Sequence, residues 1–538
     1  MPYSIVSPSG TSEIIIPAGS SASLFTQGSA QVYQILKPAN FPQSSRFLMN
    51  VVASSAVFGP YPLGATLVIE NGPLPTFFEI GLAPFVNSLS LQQTEGSRSL
   101  STLNLGVWAF VGDSFIAQSV NSYSSTVRNY ELLGLVTALR QASRQRVRVP
   151  SFVLVDDGAS GMDPTSGYIW AKSGKASDWF VAQNYHMSAA ATDAGVVFSP
   201  LSTNDTSQSV PFATSVANYT LIWQTLLAAG KTVVTMPILP RFISGSSTAV
   251  RNASHRLNAW GRKYASENGI IWADPTPKWI DPTNADGDPI AGVIRDAILH
   301  PSGEGNFVIA DAILSAVDKL LPAFDNRFMN ITDVYDATLN PSGNLITNGL
   351  MAGTAGTITA GTGGTPMSGS LADSWTAARD SDTSIGTLTC VWSKVARSDG
   401  EVGTWQQGVV SGTPAAVREL RMTQSITIGN IAAGDKIALT AEVEIDAGAA
   451  NVFSLTVGFL DDNVDNVEVR DGDRGNTAVG NSSTIYLPTS ARKLVYETPV
   501  HTIGTAPTAM TVTIRIPCQE SVAASLTFRI GRVKLYKL

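Results

Sequence analysis

A serine hydroxyl attacks a carbonyl only when a base takes its proton, so the search for a nucleophile is also a search for a base. The chain holds four histidines, His186, His255, His300 and His501, and any imidazole chemistry must use one of them. No two of them stand in HExxH or comparable ligand spacing, so neither a zinc site nor any other cofactor is expected. His300 is the strongest candidate. It lies in RDAILHPSGEGN, and Asp296, four residues earlier, could orient its ring and stabilise its charged form, the logic of a Ser-His-Asp triad. Ser114, in VWAFVGDSF, directly follows an apolar run and is the matching nucleophile. His255 falls inside a helical stripe, His186 precedes an Ala-rich segment and His501 lies in a C-terminal β region; packing or surface roles suit all three. Acyl transfer also needs donors aimed at a developing oxyanion. Gly161 in VDDGASGMD, the Asn204 amide in VVFSPLSTNDTSQ and the Ser114 N–H are the candidates.

These residues need a scaffold. Between about 101 and 325, apolar runs of strand length at 107–111, 152–155, 196–199, 232–237 and 270–273 alternate with helical stripes. The stripes are Leu132/Leu135/Val136/Leu139, Tyr219/Ile222/Trp223/Leu226/Leu227, Val250/Ala253/Leu257/Trp260/Tyr264 and Phe307/Ala310/Leu314/Val317/Leu321. Such alternation predicts a parallel sheet covered on both faces, with ligands at the carboxyl ends of its strands. Ser114 follows the first run, Gly161 the second, Asn204 the third and His300 the fifth.

With those blocks in place, the sequence resembles the SGNH (GDSL-type) hydrolases. GDS at 112–114, SG at 160–161, ND at 204–205 and D…HPS at 296–302 occur in the family's order, within about 220 residues. The resemblance implies a flavodoxin-like three-layer α/β/α fold with strand order 2-1-3-4-5. It implies Ser114 as nucleophile, His300 as base, Asp296 as its partner, and Ser114, Gly161 and Asn204 as the oxyanion hole. Two departures stand out. Ser202 occupies a position the family usually gives to Gly, and three residues rather than two separate Asp296 from His300. The extra residue leaves Asp288, a backbone carbonyl or a Ser-His dyad as alternatives to Asp296.

Residues 1–100 read as a small all-β domain, 326–345 as a linker and 346–538 as a β-sandwich or jelly roll. The arrangement is similar to bacteriophage tail-spike esterases that remove O-acetyl groups from bacterial surface polysaccharide. That resemblance implies a virion tail location, attachment to other tail proteins through the N-terminal domain, a homotrimer and a carbohydrate-binding-module-like C-terminal domain. Trp170 and Trp179 are candidates to line the active site, and Trp375, Trp392 and Trp405 to bind sugar; core packing competes at each. A general short-chain esterase or lipase, and a non-catalytic glycan-binding adhesin, are the alternatives.

Composition sets the outer limits. With 35 Lys+Arg against 42 Asp+Glu, the net charge is −7, which argues against nucleic acid. No apolar run approaches the roughly 18 residues of a membrane-spanning helix, so no membrane insertion is expected. The start, MPYSIVSPSG, lacks the pattern of a signal peptide, which predicts a protein that either stays where it is made or leaves by a route other than cleavable-signal secretion. Cys390 and Cys518 make no disulfide framework. In DDNVDNVEVRDGDRG, Asp461, Asn463 and Asp465 begin like a calcium loop, but Asn466 replaces the required Gly and Gly472 the bidentate Glu, so a solvated acidic turn is expected, with a β-domain calcium site as the alternative.

Overall fold

The first apolar run becomes strand β1 (Trp108–Gly112), and its alternation decides the layering of everything around it. Trp108 and Phe110 point into one hydrophobic cluster, whereas Val107, Ala109 and Val111 point into another. In this computed structural model the described residues are 105–119, 127–130, 135–150, 154–155, 167–296, 298–322, 333–461, 466–470, 487 and 489–538, with the strand backbones of the first 82 residues.

Five further strands complete the sheet: β2 (Leu154–Val155), β3 (Ile169–Ala171), β4 (Val196–Phe198), β5 (Thr232–Thr235) and β6 (Ile271–Trp272). All neighbours are parallel, in the order β2-β3-β1-β4-β5-β6. Without the edge strand β2, the other five run 2-1-3-4-5 in chain order. The strand beside β1, however, is β3, a segment not read as a strand from its sequence, while the run at 152–155 supplies the edge strand β2.

Nine helices occur among the described residues of this region. They are α1 (Ser114–Ala117), α2 (Leu135–Ala142), α3 (Ser177–Ala182), α4 (Tyr185–Ala191), α5 (Thr203–Ser207), α6 (Phe212–Ala228), α7 (Thr248–Asn268), α8 (Thr276–Trp279) and α9 (Gly303–Val317). Helices α1, α2, α8 and α9 bury their apolar sides with Trp108 and Phe110; α3, α4, α6 and α7 bury theirs with Ala109 and Val111. This is a three-layer α/β/α arrangement. Ser247 starts α7 by accepting from the Val250 N–H, and Gly269, at φ 68°, ends it in the left-handed conformation that glycine adopts without strain.

The chain forms two compact units, Met1–Leu100 and Ser101–Leu538. In the first, the strand backbones form two antiparallel four-stranded sheets, ordered Ser4–Val6, Thr76–Leu82, Ser20–Thr26, Ser55–Tyr61 and Thr11–Ile16, Ala65–Asn71, Ser29–Leu36, Ser44–Val52. In the second, the α/β layers and the C-terminal β region, read as separate domains, belong to one unit. Two largely antiparallel sheets make up the β region. One centres on Thr456–Asp461, Met510–Cys518, Arg418–Ser425 and Leu371–Arg379. The other centres on Thr389–Ala396, Thr404–Gly412, Ala524–Lys537 and Lys436–Ile445. The strand Val127–Tyr130, from the α/β part, adds in parallel to the edge of the first sheet. A single hydrophobic cluster runs from Trp108, α2 and α9 into both of these sheets. The described part of the expected linker is packed too: Leu345 N–H donates to Leu535 O at 2.8 Å, and Lys534 pairs with Asp333 at 2.6 Å.

Candidate active site

The sheet places the candidate residues at its carboxyl edge. β1 ends at Gly112, and the chain turns at once into α1 with Asp113 as N-cap, its carboxylate accepting from the Phe115 N–H at 3.2 Å. Ser114 is thereby the first residue of α1, a position whose N–H has no acceptor within the helix. Its side chain is buried.

His300 lies beyond β6, at the end of a tight loop. Ile294 and Pro301 close the loop as an isolated antiparallel bridge, and Arg295 N–H donates to His300 O at 2.9 Å. Asp296 sits inside it. One carboxylate oxygen accepts the N–H groups of Ile298 at 3.1 Å, Leu299 at 2.7 Å and His300 at 3.1 Å. The other is hydrogen-bonded to His300 Nδ1. The extra residue between Asp and His is thus absorbed by a turn that wraps the carboxylate in backbone donors. Because Nδ1 donates to Asp296, Nε2 is left as an acceptor, and it lies 3.1 Å from Ser114 Oγ. Burial opposes charge on Asp296, but the Leu299 N–H, the His300 ring and the other two N–H groups outweigh it and hold the carboxyl down at about 2. Asp288, the alternative acid, is engaged elsewhere, accepting the Ile243 N–H at 2.7 Å.

Asn204 belongs to α5, which follows β4. The helix is capped by Ser202, whose Oγ accepts from the Asn204 N–H at 3.1 Å and donates to Asp113 at 2.7 Å. Serine in the usual glycine position therefore ties the Asn204 loop to the Ser114 turn. Burial pushes the Asp113 carboxyl up, against the hydrogen bonds from Ser202 and Phe115. The Asn204 amide donates one hydrogen to Lys175 O at 3.0 Å, which fixes its plane. Gly161 lies outside the described residues.

The other described candidates are buried or half-buried side chains, apart from His255. Trp170 is in β3 and only 1% exposed, so it packs the sheet and does not line the site. Trp179 is half-buried on α3, edge-on to Tyr185, with the Lys175 ammonium over its ring. Trp375, Trp392 and Trp405 are all buried, which removes them as exposed sugar platforms. His186 is buried in α4, and desolvation lowers its pKa; His255 is exposed on α7. Buried His501 faces Asp461 Oδ2 at 3.3 Å. Asp461 is thus the buried end of a strand rather than part of a solvated turn; Asn463 and Asp465 lie outside the described residues.

Sequence reading gave no role to Asp205 or Arg241. Asp205 is buried and accepts from Ser177 Oγ at 2.6 Å, Ser215 Oγ at 2.7 Å, Tyr219 OH at 3.1 Å and the Ser177 N–H at 3.2 Å, joining α3, α5 and α6. Burial raises its carboxyl in spite of these donors. Arg241, after β5, donates to Thr203 O at 3.0 Å and Ser207 Oγ at 2.7 Å and clamps α5. The Asn-Asp dipeptide was the available signal for Asp205; Arg241 had none.

A serine, an imidazole and a carboxylate hydrogen-bonded in series at the carboxyl edge of a parallel sheet define a serine hydrolase site. Residues 110–306 match the GDSL-like Lipase/Acylhydrolase family, and this part of the chain is a GDSL-type (SGNH) ester hydrolase domain. Among solved structures, a GDSL-like lipase from Bacteroides thetaiotaomicron VPI-5482 is similar at 16% identity, covering 42% of this chain and 98% of its own, with a TM-score of 0.29. A carbohydrate esterase family 3 protein from Talaromyces cellulolyticus is similar at 18% identity, covering 40% and 97%, with a TM-score of 0.28. No curated protein matches the chain.

Proposed function

We propose that this serine esterase removes short acyl groups, acetyl above all, from bacterial surface polysaccharide as part of a phage tail, with Ser114, His300 and Asp296 as its catalytic residues. The observation that carries the catalytic assignment is the unbroken hydrogen-bond series from Ser114 Oγ through the His300 ring to Asp296. Ser114 Oγ attacks the ester carbonyl while His300 Nε2 takes its proton. The resulting oxyanion is assigned to the N–H of Ser114 and the amide of Asn204, with Gly161 as the third donor that the family resemblance implies. Collapse expels the sugar hydroxyl, which takes the proton back from Nε2, and leaves Ser114 acylated. Water then attacks the acyl carbonyl, deprotonated by the same nitrogen, and acetate leaves as Ser114 is restored. Asp296 stays ionised and fixes the tautomer throughout. The substrate and the tail location rest on the resemblance of the three-part organisation to tail-spike esterases. In that setting the N-terminal unit joins other tail proteins and the chain acts as a homotrimer.

One observation favours the second reading, a general short-chain esterase. Ile298, two residues before His300, is 48% exposed, and its side chain packs against Gly245 close to Ile243, which is 41% exposed. An apolar lip beside the base suits an alkyl ester better than a glycan.

The test is acetate release from a panel of acetylated bacterial polysaccharides and from acetyl-to-octanoyl aryl esters. Wild type and Ser114→Ala are run side by side. Activity on one polysaccharide, reduced in the variant by about 10⁵-fold or more, is the expected result. Activity confined to the longer aryl esters would select the second reading. Equal activity in both proteins would remove Ser114 as nucleophile.

A further inference from the structure

We infer that the C-terminal β region is part of the active-site scaffold, and that Arg492 and Ser490 are positioning residues that hold the His300 loop in place through the first turn of α9. The inference rests on the reading of Ser114, His300 and Asp296 as the catalytic centre.

His300 is joined to α9 by only Pro301 and the N-cap Ser302. Ser302 accepts from the Gly305 N–H at 3.1 Å, and its own N–H donates to Val293 O at 2.9 Å. At Gly305 a Cβ would come within 2.0 Å of that same carbonyl, so backbone meets backbone with no slack. The loop from Val293 to Ser302 is thus rooted on the start of α9. A shift of that turn carries the imidazole with it.

The turn is gripped from the C-terminal region. Ser490 Oγ donates to Glu304 at 2.5 Å. Arg492, at the start of the strand Arg492–Glu497, reaches Glu304 at 3.4 Å and Asp311 at 2.6 Å, and its guanidinium lies over the Phe307 ring at 4.7 Å. Glu304, Phe307 and Asp311 stand at i, i+3 and i+7, one stripe of α9. A single planar cation therefore spans two turns of the helix that carries the base. Its side chain is 11% exposed, so the contact is shielded from solvent and salt more than a surface pair is. Arg492 touches no reacting atom. Its effect on chemistry passes through α9 to a gap of 3.1 Å between His300 Nε2 and Ser114 Oγ.

The test compares full-length wild type with Arg492→Met, Arg492→Lys, Ser490→Ala and Arg144→Met. Arg144 pairs with Glu442 across the same interface, and neither residue belongs to α9 or to the His300 loop, so Arg144→Met loosens the interface but not the turn. Two readouts are taken: kcat and KM on an aryl acetate, and the imidazole NMR signals. With four histidines in the chain, those of His300 can be assigned by one His300→Gln spectrum. Arg492→Met is expected to lower kcat by on the order of 10-fold with little change in KM, since misplacement of a base costs rate rather than ground-state binding. Ser490→Ala falls in between, Arg492→Lys recovers part of the loss, and Arg144→Met leaves kcat unchanged. His300 signals move in Arg492→Met and stay put in Arg144→Met. Unchanged kcat and His300 signals in Arg492→Met would overturn the inference, and so would an equal loss in Arg144→Met. If the wild type hydrolyses no ester, the functional reading fails. The His300 signals still decide the brace.

Discussion

At the scale of the residue, Asp296 has two separate tasks, one per carboxylate oxygen. One oxygen gathers three backbone N–H groups and shapes the loop; the other sets the tautomer of His300. Asp296→Asn separates them. The amide oxygen can still accept the loop N–H groups, but the amide nitrogen presents a donor to Nδ1. The ring then protonates at Nε2 and cannot take the Ser114 proton. A fall in kcat on the order of 10³–10⁴ is expected, with the fold intact by circular dichroism. The same pair makes a pH prediction. The folded-state carboxyl is held at about 2, below its ordinary value of about 3.9. A depressed carboxyl contributes stability that is present above the ordinary value and lost as pH falls through the folded one. The stability gap between wild type and Asp296→Asn should therefore be constant above about pH 4 and shrink towards pH 2. Thermal unfolding across that range measures it, and a gap that widens on acidification would contradict the assignment.

At the scale of the element, the candidate site depends on how α5 is seated, and Asp205 seats it. Its carboxylate is buried and takes donors from α3 and α6 as well as standing in α5 itself. Asp205→Ala would strand the Ser177, Ser215 and Tyr219 hydroxyls in the interior. Buried unsatisfied donors cost about 1–3 kcal/mol each, so several kcal/mol of destabilisation is expected. Asn204 shares that helix, and kcat should fall even at temperatures where the variant remains folded. Asp205→Asn should lose less, because its oxygen still accepts; a variant at wild-type stability would contradict the seating role. What could be read from sequence at this scale followed from periodicity. β1, β4 and β5 are apolar runs, and α6, α7 and α9 carry unmistakable stripes, so Ser114, Asn204 and His300 could be set at strand ends. β3 could not be read that way. Its three residues between Ser166-Gly167 and Ser173-Gly174 are too short to alternate, so no pattern in the sequence sets Trp170 on a strand. The wrap around Asp296 escaped for a different reason. Its partners are backbone N–H groups, which leave no trace in residue type.

At the scale of the whole molecule, the boundary that matters is the one at residue 100, because everything from Ser101 onward forms one unit. Its α/β and β parts are joined by a shared apolar cluster and by charge. Glu442 is buried and receives Arg532 at 2.5 and 2.9 Å, Arg397 at 2.7 Å and, from beyond α2, Arg144 at 2.9 Å. Burial opposes its ionisation, but Arg532 and Arg397 outweigh burial and hold the carboxyl below its ordinary range. Arg140 pairs with Glu497 at 2.8 Å, and Gln145 donates to Val495 O at 2.9 Å along the same seam. Removing the carboxylate leaves buried guanidiniums uncompensated, so Glu442→Ala should cost about 3–5 kcal/mol. Arg144→Ala, at 30% exposure, should cost under about 1 kcal/mol. The same reasoning separates two truncations. A chain of 101–538 keeps the cluster and the seam, and should retain ester hydrolysis within about two-fold of the full chain. A chain of 101–345 exposes the apolar faces of α2 and α9 that the C-terminal sheets cover, and should be insoluble or inactive. Expression yield, circular dichroism and aryl-acetate turnover of the two truncations decide the matter. A soluble, active 101–345 fragment would mean that the β region is carried by the hydrolase rather than holding it.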